Sequence, residues 1–174
     1  EPAALANLSQ LALWQGQPAA AREHALQAQA IAAEVQAPEL EAFAQWSLGQ
    51  AELAQGNRAA ARAAFAAALE AAQATGSAYA LDAQAGLART ALANQDLPQA
   101  LAHAETLLRA CAEGEVEGLQ ACLARRLVEL SLWQVLHEAG DARAPGLLRA
   151  AHQALQDSAA ALADTYPQRP ITLV

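Results

Sequence analysis

The sequence predicts an all-α protein, a solenoid of four antiparallel helix hairpins with about eight helices in all, and three observations carry that expectation. Of 174 residues, 52 are Ala and 27 are Leu, the two residues that favour helix most strongly among the apolar types, while β-branched and aromatic residues are few. Short breakers divide the chain into eight segments, each long enough for a helix. The breakers also recur at nearly constant spacing. With 55% apolar residues the chain can bury one core as a single domain.

The first helix is expected at about 3–15, ending at Gly16-Gln17-Pro18, and the second at 18–35, ending at Ala37-Pro38. The third, 39–55, stops at Gly56-Asn57, and the fourth, 58–75, at Gly76-Ser77. The fifth, 78–94, runs into Asn94-Gln95-Asp96-Leu97-Pro98, and the sixth, 97–112, precedes the stretch from Gly114 to Gly118. The seventh, 117–139, reaches Gly140-Asp141, and the eighth spans 144–163. Connections this short make consecutive helices antiparallel. The domain therefore covers 1–164 in units of about 1–37, 38–76, 77–114 and 115–164, followed by a tail at 165–174. Pro167 and Pro170 exclude helix from that tail, and Ile171-Thr172-Leu173-Val174 makes it extended and β-prone. A start at Glu1 with no leader reads as a piece of a longer protein.

Four turns are alike: Gln15-Gly16-Gln17-Pro18, Gln55-Gly56-Asn57-Arg58, Asn94-Gln95-Asp96-Leu97 and Ala139-Gly140-Asp141-Ala142. They follow one another at 40, 39 and 45 residues. After the first three, a small residue opens a spaced apolar series: Ala21, Ala25, Ala28; Ala61, Phe65, Ala68; Ala100, Ala104, Leu107. Before them, Leu8, Leu48, Leu87 and Leu132 stand at matching distances. A repeated pair of helices is an interaction solenoid by default, because one hairpin cannot bury its apolar face alone. Ala at the crossings lets helix axes approach to about 8–10 Å, and Gly49 removes the side chain that would hold the second hairpin apart.

On these residues the chain resembles the tetratricopeptide repeat family. Leu48-Gly49, Gly56, Ala61, Phe65 and Ala68 fall where that motif places Leu-Gly, a turn Gly, Ala, an aromatic and Ala. The first unit keeps Leu8, Gly16, Ala21 and Ala28, the third has Gln95 for the turn Gly, and the fourth has Pro145 where the small Ala is expected. The period exceeds the usual one of about 34 residues, and in this it is similar to the long-period variant of MalT-like bacterial transcription activators and signalling ATPases. The resemblance implies a right-handed superhelix, with the first helix of each hairpin lining a concave side.

Formal net charge is −8, and the 10 basic residues, all Arg, are scattered, so no basic stripe offers direct nucleic-acid binding. No apolar run approaches the roughly 20 residues of a membrane span, and the chain reads as soluble. Cys111 and Cys122 match neither a metal spacing nor a disulfide framework; they read as small apolar residues in a reducing cytoplasm. His24, His103, His137 and His152 lie on four different helices without a metal-binding pair. Phosphate-loop, dinucleotide and nucleophile-elbow motifs are missing, and Glu113, Glu115 and Glu117 read as a solvated acidic loop before a helix N-terminus. The expectation is a protein with no catalytic residues, metal or cofactor.

Projecting the register places Gln10 and Trp14, then Phe43, Trp46 and Gln50, then Asp82 and Arg89, then Gln134 and His137 along the groove. Gln10, Gln50, Arg89 and Gln134 occupy one equivalent place, a polar ladder suited to an extended peptide. Trp14, Phe43 and Trp46 would serve as aromatic anchors, the competing reading being that the aromatic residues, Trp133 included, pack between adjacent hairpins; Asp82 and Arg89 would add charge specificity. The expected function is a protein-interaction and regulatory module whose partner is a peptide or a domain, the parent chain's own included. A small-molecule-sensing segment of a MalT-like activator or signalling ATPase is the alternative. A third reading is a spacer that self-associates, as a homodimer for instance, through Ala59 to Ala72.

Overall fold

The structure, a computed structural model, describes residues 2–77, 79–112 and 125–165. Among them stand eight helices: α1 (Pro2–Trp14), α2 (Pro18–Glu34), α3 (Pro38–Ala54), α4 (Arg58–Thr75), α5 (Tyr79–Ala93), α6 (Leu97–Ala112), α7 (Arg125–Glu138) and α8 (Ala144–Thr165), with no strand among the described residues. The all-helical fold is as the composition predicts. Residues 117–124 of the expected seventh helix, the acidic loop, Cys122, the Cys111 side chain and the tail from Tyr166 lie outside the described residues.

Local rules explain the ends. Pro18 and Pro38 open α2 and α3, in the first turn, where a missing N–H breaks no intrahelical bond. Glu39 and Glu41 sit in the first turn of α3, facing the positive end of its dipole. Each odd helix stops at a left-handed residue: Gly16, Gly56, Gln95 and Gly140, with φ of 71°, 79°, 61° and 67°. The hydrogen bonds repeat as well. The N–H of each left-handed residue reaches the carbonyl three back, and the next N–H reaches five back, as in Gly56 to Leu53, Asn57 to Glu52, Gln95 to Leu92 and Asp96 to Ala91. This pair of hydrogen bonds satisfies carbonyls that the helix end would otherwise orphan. Gln95 thus departs from the repeat in sequence and keeps it in backbone, at the cost of holding a side chain in the left-handed region.

The odd helices touch in sequence, α1 on α3, α3 on α5 and α5 on α7, and form one continuous layer. Each even helix packs on its own hairpin partner, and the first three pack also on the first helix of the next hairpin: α2 on α3, α4 on α5, α6 on α7. Consecutive packing of this kind makes the chain a helical solenoid.

Small residues make the contacts close. Ala21, Ala25, Ala28 and Ala32 form a fully buried stripe on α2, spaced for one helix face. On α4 the same face holds Ala61, Phe65, Ala68 and Ala72. Phe65 is the largest fully buried side chain, and its ring lies between two glycines. A Cβ on Gly49 would stand 2.6 Å from Phe65 Cδ1, and one on Gly86 would collide with the same ring edge. The role expected for Gly49 is therefore made specific, and Gly86 shares it. A second cluster joins Ala88, Ala100, Ala104 and Leu107 to Val128, Leu132 and Val135. In the last hairpin Ala144 is the buried small residue, one place before Pro145.

Polar ties cross the hairpins. The buried Glu52 carboxylate accepts from Arg22 Nε at 2.6 Å and from Asn57 Nδ2 at 2.8 Å, joining α2 to the α3–α4 turn. Arg143 pairs with both Asp141 and Glu105, and this holds the Asp141 carboxyl down at about 2.

Candidate binding groove

Two clefts open along the layer of odd helices. The larger, about 510 Å³, lies between α3, α5 and α7; the smaller, about 290 Å³, lies between α1, α3 and α5 with Leu127 of α7. Leu53 and Arg89 line both, so the two clefts share a wall.

The lining follows the repeat. Six residues before each left-handed turn residue stand Gln10, Gln50, Arg89 and Gln134; three before stand Leu13, Leu53, Leu92 and His137; two before stand Trp14, Ala54, Ala93 and Glu138. All of these line one cleft or the other, joined only by Leu127 and Trp133. Three helical positions, repeated four times, thus build the groove from the C-terminal halves of the odd helices.

Arg89 is at the centre. Its Nη1 donates to Gln50 Oε1 at 2.8 Å, and no carboxylate among the described residues lies within ion-pair distance. Burial pushes its guanidinium down from the ordinary value, because the charged form loses hydration that no counter-charge replaces. Beside it, the Gln50 side chain is buried, and its Nε2 has no hydrogen-bond partner among the described residues. Gln10 Nε2 is in the same condition. The small cleft therefore gathers three donor groups with fewer acceptors than they can use.

The aromatic residues divide differently from expectation. Trp14 is exposed and lines the small cleft, while His137 stacks on Trp133 at 5.2 Å and both line the large one. Phe43 and Trp46 are buried in the stack, so neither is an open anchor. Phe43 lies flat on Tyr79, with ring centroids 5.3 Å apart, and contacts Trp46. The physical reason is register: Trp46 lies on α3 four residues before Gln50, and Phe43 seven, on the part of the helix that α4 and α5 cover. Asp82 is also buried, at the start of α5 beside Tyr79. Burial first, then Glu39 and Asp82, raise that phenol above its ordinary value.

Glu138 and the leucines at 13, 53 and 92 were not singled out in the sequence, although the ladder register identifies them by simple addition, and Trp133, read there as packing between hairpins, lines the large cleft. Among the described residues no three His, Cys, Asp or Glu side chains approach closely enough to hold a metal ion, and no helix is long and apolar enough to cross a membrane. No protein-family model matches the chain, and no curated protein matches it in sequence.

Proposed function

We propose that this chain is a non-catalytic interaction module, of the kind its resemblance to tetratricopeptide repeats implies, that holds an extended peptide along the groove. The observation that supports this reading is the Gln10–Gln50–Arg89 donor cluster. Buried donors left without acceptors cost roughly 1–3 kcal/mol each, and the half-buried Arg89 guanidinium loses hydration with no carboxylate beside it among the described residues. A ligand that supplies carbonyl and carboxylate oxygens removes those costs, and an extended peptide with an acidic side chain supplies both. Gln134 and the Trp133–His137 pair extend the same surface for the residues that follow.

A titration of short peptides, acidic, neutral and basic, read by the fluorescence of Trp14 and Trp133, tests it. Acidic peptides should bind, and Arg89→Met should remove the preference for them. Binding that is indifferent to peptide charge and to Arg89 would contradict the reading. The small-molecule alternative draws on the larger cleft, whose volume falls within the roughly 300–1,000 Å³ of small-ligand sites. Melting shifts with a panel of metabolites and no response to any peptide would favour it.

A further inference from the structure

We propose that the groove takes a proline-rich, acidic segment in the polyproline II conformation and reads it at every third residue. This rests on the groove reading and adds the ligand's conformation and spacing to it. The ladder supplies the spacing. Gln10, Gln50, Arg89 and Gln134 stand one to each odd helix, at the same place before each turn, and α1, α3, α5 and α7 pack on one another in that order. Helices in contact lie about 8–10 Å apart, so the rungs repeat at about that interval. The two central rungs, in the interior of the array, meet where Arg89 Nη1 donates to Gln50 Oε1 at 2.8 Å. A ligand lying along the groove must present like groups to successive rungs. A polyproline II chain has three residues per turn and rises about 3.1 Å per residue, so one face returns about every 9 Å. A β-strand returns one face every two residues, about 6.6 Å, and its third residue points the other way. An α-helix comes near the interval at its seventh residue, about 10.5 Å on, but its carbonyls are bonded internally. The polyproline form matches the interval and keeps its carbonyls free.

The lining favours proline between the rungs. The buried side-chain atoms of the small cleft that have no partner among the described residues, Gln10 Nε2 and Gln50 Nε2, are both donors. Gln50 is only 6% exposed, and its amide cannot exchange its two ends without losing the bond from Arg89. Proline carries a carbonyl and no N–H, so a proline-rich segment brings acceptors without donors that the groove would leave unpaired. Leu13, Leu53 and Leu92 stand three residues after the first three rungs and line the clefts, an apolar floor for the pyrrolidine rings. Trp14 lines the small cleft and Trp133 the large one, and aromatic walls are what polyproline ligands dock against. Arg89 selects one carboxylate, with a neutral acceptor three residues away on either side for Gln50 and Gln134.

Three peptides with blocked ends, each holding one Asp and four Gln, test this by the change in tryptophan fluorescence on titration into the wild-type chain. The first, Gln-Pro-Pro-Gln-Pro-Pro-Asp-Pro-Pro-Gln-Pro-Pro-Gln, spaces the polar residues by three and reads the same from either end. The second has the same composition with the polar residues spaced by two and the remaining prolines at the ends. The third keeps the spacing of three and has Gly-Ser in place of each Pro-Pro, which removes the preformed conformation. The first should bind about tenfold tighter than either of the others, the combined effect of a hydrogen bond made in register and of ordering already paid for. If the second or the third binds as tightly as the first and Arg89→Met weakens all of them, the proposal is overturned and the groove remains a site for acidic peptides of any conformation. If none of the three binds, the groove reading fails together with it.

Discussion

Helix α5 shows two opposite solutions on its two sides. Toward α4 it presents Gly86, Leu87 and Thr90, all buried, with Thr90 Oγ1 donating to the Gly86 carbonyl at 2.8 Å. Toward the groove it presents Arg89, Leu92 and Ala93. The first side is filled so closely that a single Cβ has no room. The second sets Arg89 beside the unsatisfied amides of Gln10 and Gln50, with no carboxylate among the described residues within ion-pair distance. One helix therefore carries both a contact too close for a single Cβ and the cation at the centre of the groove, and stability and recognition are separated by about 100° of helix rotation per residue.

The largest effect is expected at Phe65. Phe65→Ala leaves a cavity at the junction of α3, α4 and α5 and should cost about 3–5 kcal/mol, a large part of the total for a domain of this size. Urea unfolding measures it, and peptide binding by the fraction still folded should be unchanged.

Gly86→Ala sharpens the same point with a sign. In an ordinary helix interior this change stabilises by about 0.5–1 kcal/mol. Here the new methyl meets the Phe65 ring, and overpacking of about 1–3 kcal/mol should win. Combining Gly86→Ala with Phe65→Leu should recover part of the loss, a coupling that a double-mutant cycle would reveal.

A smaller effect concerns pH. His103 Nδ1 lies 3.0 Å from Gln84 Nε2, and burial, then Arg62, lowers its pKa from the ordinary 6.5. The neutral ring is the folded form. Its contribution to stability is therefore present above pH 6.5 and is lost as pH falls through the lowered value. His103→Gln should flatten that part of the stability profile in unfolding measured from neutral to mildly acidic pH.

The smallest change is Gln95→Gly. It removes a side chain from the left-handed region, where a non-glycine residue costs about 1–2 kcal/mol, and returns part of that gain through the freer unfolded chain. A rise of about 0.5–1 kcal/mol in urea unfolding is expected. No rise would mean that the turn is not strained at Gln95.

Much of the fold was legible because it rests on local signals. The Ala-rich stripes, the turn spacing and the matching leucines specify hairpins without any knowledge of distant contacts. The Gln10, Gln50, Arg89 and Gln134 ladder was legible for the same reason, since one residue per period marks one line along the layer. Phe43, Trp46 and Asp82 were misplaced because exposure of an odd helix depends on how far along its length the neighbouring hairpin reaches. Nothing within α3 distinguishes the covered turn holding Trp46 from the open one holding Leu53. Gly86 was missed because its meaning lies in Phe65, 21 residues away on another helix.

The most direct test of the separation between stack and groove is the double variant Gln50→Met/Arg89→Met, with urea unfolding and acidic-peptide binding measured on the same sample. Replacing both partners of a poorly satisfied, part-buried pair by apolar groups of similar length is close to neutral or stabilising. The account predicts an unfolding midpoint at or above that of the wild type and binding weakened about tenfold or more, the equivalent of one charge-assisted hydrogen bond. A midpoint that falls while binding by the folded fraction stays intact would contradict it, and would make Arg89 and Gln50 part of the stack.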